Sequence, residues 1–153
     1  MTEIAETAPD FTLPRDGGGE ITLSGLYPKP VVLFFYPRDD TPGCTNEAIA
    51  FTGLKSEFDA AGIAVFGISK DTLAKHDKFR DKHGLQVALL SDADSDVCER
   101  YAVWKEKSMY GKKFLGIERT TFLIDGTGRI ARVWNKVKVP GHAEEVLEAA
   151  RAL

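Results

Sequence analysis

The apolar residues of this chain fall into short blocks whose spacing changes from one block to the next. Val31–Tyr36 reads VVLFFY, an unbroken apolar run ended by Pro37. A run of that length, rich in β-branched and aromatic residues, predicts a central strand covered on both faces. Helical spacing follows from about Pro42 to Ala61, and Ile63–Ser69 is a second apolar strand. Strand, helix and strand of these lengths make a βαβ unit, right-handed in nearly all cases. The pattern then predicts a helix from about Thr72 to His83, stopped by Gly84, and a short strand Val87–Leu90. Ser95–Ala102 reads as a short helix with Val97, Cys98, Tyr101 and Ala102 on one side.

Two hairpins frame these elements. Phe11–Leu13 and Glu20–Leu23 flank Asp16-Gly-Gly-Gly19 near the N-terminus. Thr120–Asp125 and Arg129–Trp134 flank Gly126-Thr-Gly128. A last helix starts at about Gly141, with Ala143, Val146, Leu147 and Ala150 at core spacing. Parallel βαβ followed by an antiparallel hairpin gives an α/β class with a mixed sheet and helices on both faces. That is the outline of a thioredoxin-like fold, and the pattern alone also fits other α/β sandwiches.

Composition narrows the function classes. The 153 residues contain no linker, repeat or low-complexity segment and read as a single domain over 1–153. A formal net charge of −3 argues against a nucleic-acid or anionic-membrane binder. The lysines at 105, 107, 112 and 113 are interrupted and read as a solvated face. No window approaches the roughly 18 apolar residues of a membrane helix. The opening MTEIAETAPDF lacks a basic region and an apolar core, so a secretory leader is not expected and a cytoplasmic location is. Two cysteines suggest reactive or buried thiols rather than a disulfide scaffold. They exclude a four-cysteine zinc site, and the three histidines show no metal-ligand spacing. No cofactor is expected.

The candidate chemistry lies in Tyr36–Ala48, YPRDDTPGCTNEA. Thr41 suits an N-cap and Pro42 the first helical position. Cys44 then stands in the first turn, sharing a face with Ala48, Phe51 and Phe58 at about 100° per residue. The thiol points inward, toward the end of the sheet. The helix N-terminus carries partial positive charge, and the amides of Gly43 and Cys44 have no helical partner. Such surroundings favour thiolate, commonly lowering a thiol from its usual value of about 8.5 by one unit or more. The alternative is an inert buried cysteine. Arg119 opens the strand Thr120–Asp125. If that strand runs antiparallel beside Val31–Tyr36, Arg119 meets Cys44; the alternative is a surface ion pair with Glu118. Arg38, in the loop after Pro37, is expected to be exposed.

Pro37, Thr41 and Cys44 spell a Pro-x-x-x-Thr-x-x-Cys pattern, and the whole stretch resembles the active-site loop of the peroxiredoxin Q group, also called bacterioferritin comigratory proteins. Ala8-Pro-Asp-Phe11, Trp104–Asp125 and Lys136–His142 are similar to that family's other motifs. The resemblance implies a thioredoxin-like fold and a peroxidase without metal or haem. It implies that Cys44 is the peroxidatic cysteine, Thr41 orients the peroxide, Arg119 is the active-site arginine and Pro37 shields the thiol. Glu47 would brace Arg119, or merely supply favourable charge in the helix's first turns. Substrates would be hydrogen peroxide or small alkyl hydroperoxides, and the product a Cys44 sulfenic acid.

This chain departs from the family pattern at the resolving cysteine. The two positions where that group places one hold Ile49 and Arg80. Cys98, the only other thiol, is spaced as a buried small hydrophobe, with a resolving role as the alternative. A one-cysteine mechanism is therefore expected, recycled by thioredoxin, glutaredoxin with glutathione, or another small thiol. The group resembled is often monomeric, so a monomer is expected. The competing reading is a non-enzymatic redox sensor or holdase on the same fold. Phe34, Phe35 and the loop around Met109-Tyr110 could line an apolar entrance, or the two phenylalanines could be core. His142 is expected to shape the start of the last helix.

Overall fold

The computed structural model describes residues 4–153. In chain order the elements are β1 (Thr12–Pro14), β2 (Glu20–Thr22), a 3-10 turn (Leu23–Leu26), β3 (Val31–Phe35), α1 (Pro42–Gly53), α2 (Lys55–Ala60), β4 (Ala64–Ser69), α3 (Leu73–His83), β5 (Ala88–Ser91), α4 (Val97–Arg100), β6 (Trp104–Met109), β7 (Lys112–Ile117), β8 (Thr120–Ile124), β9 (Ile130–Trp134) and α5 (His142–Arg151). The central sheet has the order β5-β4-β3-β8-β9. Its β3–β4–β5 half is parallel and its β3–β8–β9 half antiparallel. This is the mixed α/β, thioredoxin-like architecture expected from the pattern.

The middle strand explains why its sequence is apolar throughout. Successive side chains of a strand point to opposite faces. Val31, Leu33 and Phe35 enter one core. Val32, Phe34 and Tyr36 enter the other. The second core receives Cys44, Ala48 and Phe51 from α1, Phe58 from α2, Phe79 from α3 and the apolar face of α5. The first is closed by Leu13 of the N-terminal hairpin, by Val97, Cys98 and Tyr101 around α4, and by Val103 and Ile117. Phe34 and Phe35 are both fully buried, Phe34 with its ring centroid 4.6 Å from that of Phe51. They are core residues and line no entrance.

Three local expectations need correction. The helix over 42–61 is two helices: α1 stops at Gly53, and Leu54 makes a tightened turn whose N–H bonds back to the carbonyls of Phe51 and Thr52. The face survives the break, since Phe58 still joins Cys44 and Phe51 in one core. Ala102 does not share the buried side of α4; it is exposed, with φ of 58° ending the helix. The lysine-rich segment is not only a solvated face. It forms the hairpin β6–β7, reversed at Tyr110-Gly111 with φ of 53° and 78°, the geometry of a two-residue hairpin turn. Among the described residues no helix is long and apolar enough to cross a membrane.

Candidate active site

The register of β3 against β8 builds the site. Phe35 stands opposite Thr120 in an antiparallel pair. The residue before Thr120 is Arg119, so it emerges where β3 ends and the chain turns toward α1. The carbonyl of Arg119 also accepts the Val137 N–H at 3.0 Å, tying its backbone to the segment before α5.

Thr41 occupies the N-cap position and Pro42 starts α1, as their residue types predict. The Thr41 hydroxyl does not cap, however; it donates to the Arg38 carbonyl at 2.9 Å. Its oxygen lone pairs therefore remain available to accept a proton from a ligand. The first helical bond joins the Thr45 N–H to the Thr41 carbonyl at 2.8 Å. The amides of Gly43 and Cys44 lie ahead of it, at the open end of the helix.

Cys44 is buried, and the Arg119 guanidinium reaches it. Nη2 donates to Cys44 Sγ at 3.3 Å, while Nη1 donates to Glu47 Oε1 at 2.7 Å. Cys44 and Glu47 are neighbours one turn apart on α1, so one planar guanidinium spans both. Glu47 thus pairs with Arg119, and Arg119 does not pair with Glu118. Gly43 leaves room for this approach. A Cβ built there would lie 3.1 Å from Arg119 Nη2. Arg38 is exposed, as expected.

The two ends of the ion pair respond differently to their surroundings. Burial pushes the Glu47 carboxyl up to about 7, against the pull of Arg119. Its second oxygen, Oε2, is buried with no hydrogen-bond partner among the described residues. Burial also opposes the charge on Arg119, but Glu47 and the Cys44 sulfur outweigh it and hold the guanidinium more firmly protonated. The carboxylate bears most of the desolvation because it is 1% exposed, whereas the arginine side chain is 18% exposed.

A groove of about 600 Å³ opens beside Pro37 and Thr41, with Trp104, Met109, Phe114 and Leu115 of the β6–β7 hairpin among its lining. Met109 thus lines this groove, while Tyr110 at the hairpin tip is almost wholly exposed. Lys107 also faces this groove and bonds to the Ile117 carbonyl. Burial, then repulsion from Arg119, lowers its amine below the usual lysine range. Sequence reasoning missed both the hairpin and Lys107. The Tyr110-Gly111 turn was the one signal.

Cys98 lies elsewhere. It is fully buried in the core on the opposite face of β3 from Cys44. Burial, reinforced by the Asp92 carboxylate, raises its thiol far above the ordinary range. Both cysteines are free. Ile49 is half exposed on α1. His142 begins α5, its Nε2 2.8 Å from Thr121 Oγ1 and its ring edge-on to Phe51 and Trp134. Asp39, Asp71 and His76 bring ligand-type atoms within 4.8 Å of one another. Those atoms are engaged with each other and with Tyr36 and Ser69, which accounts for the cluster without an ion.

Comparison with known proteins adds an independent line. The model of the AhpC/TSA family matches residues 4–133. A putative peroxiredoxin bcp of Coxiella burnetii is 52% identical over 145 residues, covering 95% of this chain and 96% of that protein. The crystal structure of a cysteine-to-serine mutant of Xylella fastidiosa PrxQ superposes with a TM-score of 0.94 at 41% identity, covering 99% of this chain and 97% of the other. A structure of the Xanthomonas campestris bacterioferritin comigratory protein, studied for alkyl peroxide reduction, gives a TM-score of 0.90 at 44% identity, covering 99% and 97%.

Proposed function

Because this chain belongs to the AhpC/TSA family, in its Bcp/peroxiredoxin Q group of thiol peroxidases that reduce peroxides, we propose that it works as a one-cysteine enzyme through Cys44. The observation that carries this reading is the 3.3 Å contact from Arg119 Nη2 to Cys44 Sγ, with the same guanidinium anchored on Glu47.

The Cys44 thiolate attacks one oxygen of the peroxide in line with the O–O bond. An S–O bond forms, the O–O bond breaks, and the departing oxygen leaves with the electron pair. It takes a proton and is released as water or an alcohol. The sulfur, oxidised by two electrons, becomes a sulfenic acid. Arg119 and the amides of Gly43 and Cys44 donate to the oxygen on which charge develops. Fixed donors of this kind are typically worth about 3 kcal/mol each. The Thr41 oxygen, with its proton committed to Arg38, accepts from the peroxide O–H and orients it. Pro37 walls the site from water.

An external thiol then attacks the sulfenic sulfur, expelling water and forming a mixed disulfide. A second thiol releases Cys44. The placement of Cys98 across the sheet supports an external rather than internal resolver. Thioredoxin, glutaredoxin with glutathione, or a small thiol fits that role, acting on a monomeric single domain. The two unpaired thiols are in keeping with a cytoplasmic location. The substrates are hydrogen peroxide and small alkyl hydroperoxides; the apolar side of the groove supports the latter.

Stopped-flow oxidation of the reduced protein by hydrogen peroxide tests the reading. Cys44→Ser is expected to consume none. Sustained turnover with a thiol donor separates an enzyme from a sensor or holdase, which would oxidise once and stop. Undiminished consumption by the serine variant would end the proposal.

A further inference from the structure

The loop between β3 and α1 is held from an unexpected side. Asp39 lies midway between Pro37 and Thr41, and its carboxylate is almost wholly buried. Oδ1 accepts the Tyr36 hydroxyl at 2.6 Å, and Oδ2 lies 2.6 Å from His76 Nδ1. The other ring nitrogen, Nε2, lies 3.0 Å from the Leu90 carbonyl. A carbonyl can only accept, so Nε2 carries a proton. An ionised Asp39 can only accept, and Nδ1 would then carry one too. With both nitrogens protonated, the fully buried His76 ring would be an imidazolium.

We propose that His76 is a positioning residue for the Cys44 reaction: through Asp39 it latches the 37–41 loop to α3 and β5, and the latch holds only while both ring nitrogens are protonated. The proposal rests on the reading of Cys44 given above. Its reach follows from the chain path. Asp40, next in line, adopts φ of 60° and pairs with Lys82 and His83 of the same helix. Thr41 and the first turn of α1 follow directly. The Asp39 N–H is fastened as well, to Asp71 Oδ2 at 2.8 Å. If Nδ1 lost its proton, two lone pairs would face each other at 2.6 Å in a dry site, and the carboxylate would lose its counter-charge.

The groups around the ring agree on the sign. Asp39 faces it from the loop and Asp71 from the β4–α3 connection, both carboxyl groups. Tyr36, just after β3, packs against it, its hydroxyl kept neutral by burial and by Asp39. Burial opposes the imidazolium, but the Asp39 hydrogen bond and charge, with the Leu90 carbonyl, outweigh it and raise His76 above the usual histidine value. The latch is therefore complete below the ordinary histidine range and is released as pH rises through the raised value.

The test follows Cys44 oxidation by hydrogen peroxide from about pH 5 to about pH 10, beside nitrogen-15 NMR of the histidine rings. In the wild type, both His76 nitrogens should be protonated at neutral pH. The rate constant should fall on the alkaline side at the NMR midpoint of His76. His76→Gln, whose single amide cannot serve both acceptors, should lose about ten- to a hundredfold at neutral pH and lack that alkaline fall. Asp39→Asn removes the counter-charge and should move the NMR midpoint and the rate fall to lower pH together. That variant and the wild-type titration carry the test should the glutamine variant not fold. A neutral His76 at pH 7, or a rate unchanged through its midpoint, overturns the proposal. So does a folded His76→Gln with the wild-type profile. Loss of reactivity at Cys44 at every pH would instead sink the reading of Cys44 itself.

Discussion

Glu47 and Arg119, far apart in sequence, meet at 2.7 Å, and the pair decides where the guanidinium's free edge points. With Nη1 held by the carboxylate, Nη2 has little choice but the sulfur one helical turn away. Glu47→Gln keeps an acceptor for Nη1 but removes the charge. It should slow peroxide reduction roughly tenfold, whereas Glu47→Ala, which frees the arginine, should cost about a hundredfold. Second-order rate constants for the three proteins decide it.

The same residue has a stability signature. A carboxyl pushed up to about 7 by burial is easier to fold around when protonated. Its contribution is complete below the ordinary glutamate value near 4.5 and is lost as pH rises through about 7. Urea unfolding at acid and alkaline pH should show the wild type losing ground to Glu47→Gln as pH rises. A pH-independent difference between the two would contradict the burial argument.

His142 should show the opposite slope. Burial, aided by Arg119 and Arg132 and opposed by Glu145, lowers it to about 4. The neutral ring's contribution is fully present above the usual value of 6.5 and fades as pH falls toward 4. His142→Gln should flatten stability over that window in thermal melts.

Gly43 separates stability from rate. Alanine has the higher helix propensity, worth up to about 1 kcal/mol. Its methyl would stand 3.1 Å from Arg119 Nη2 and push the guanidinium off the sulfur. Gly43→Ala should therefore melt no lower than the wild type and yet reduce peroxide about tenfold more slowly.

Cys98 should be dispensable for turnover. Cys98→Ala leaves a small void and should cost about 1 kcal/mol of stability, with the peroxide rate unchanged within about twofold. After one equivalent of peroxide, non-reducing peptide mass spectrometry should find Cys44 as a sulfenic acid or mixed disulfide. A Cys44–Cys98 bridge would refute the one-cysteine mechanism.

Local physics made part of this molecule legible in advance. The two-faced burial of Val31–Phe35 follows from an unbroken apolar run. The start of α1 follows from Thr41-Pro42, and the inward aim of Cys44 from its helical phase with Ala48 and Phe51. Arg119 was within reach because strand pairing fixes where a strand begins relative to its neighbour's end. The β6–β7 hairpin escaped notice because its side chains are mostly exposed, with Trp104 half-buried and Ile117 buried at its base, so periodicity had little apolar signal to show. Non-local decisions belonged to the tertiary structure: that Glu47 rather than Glu118 holds Arg119, that the Thr41 hydroxyl turns to Arg38, and that His76 grips Asp39. Each sets a hydrogen-bond partner between segments whose approach depends on packing. Residue type and spacing report which face a side chain takes, whereas its partner is settled by what the folded chain brings within about 3 Å.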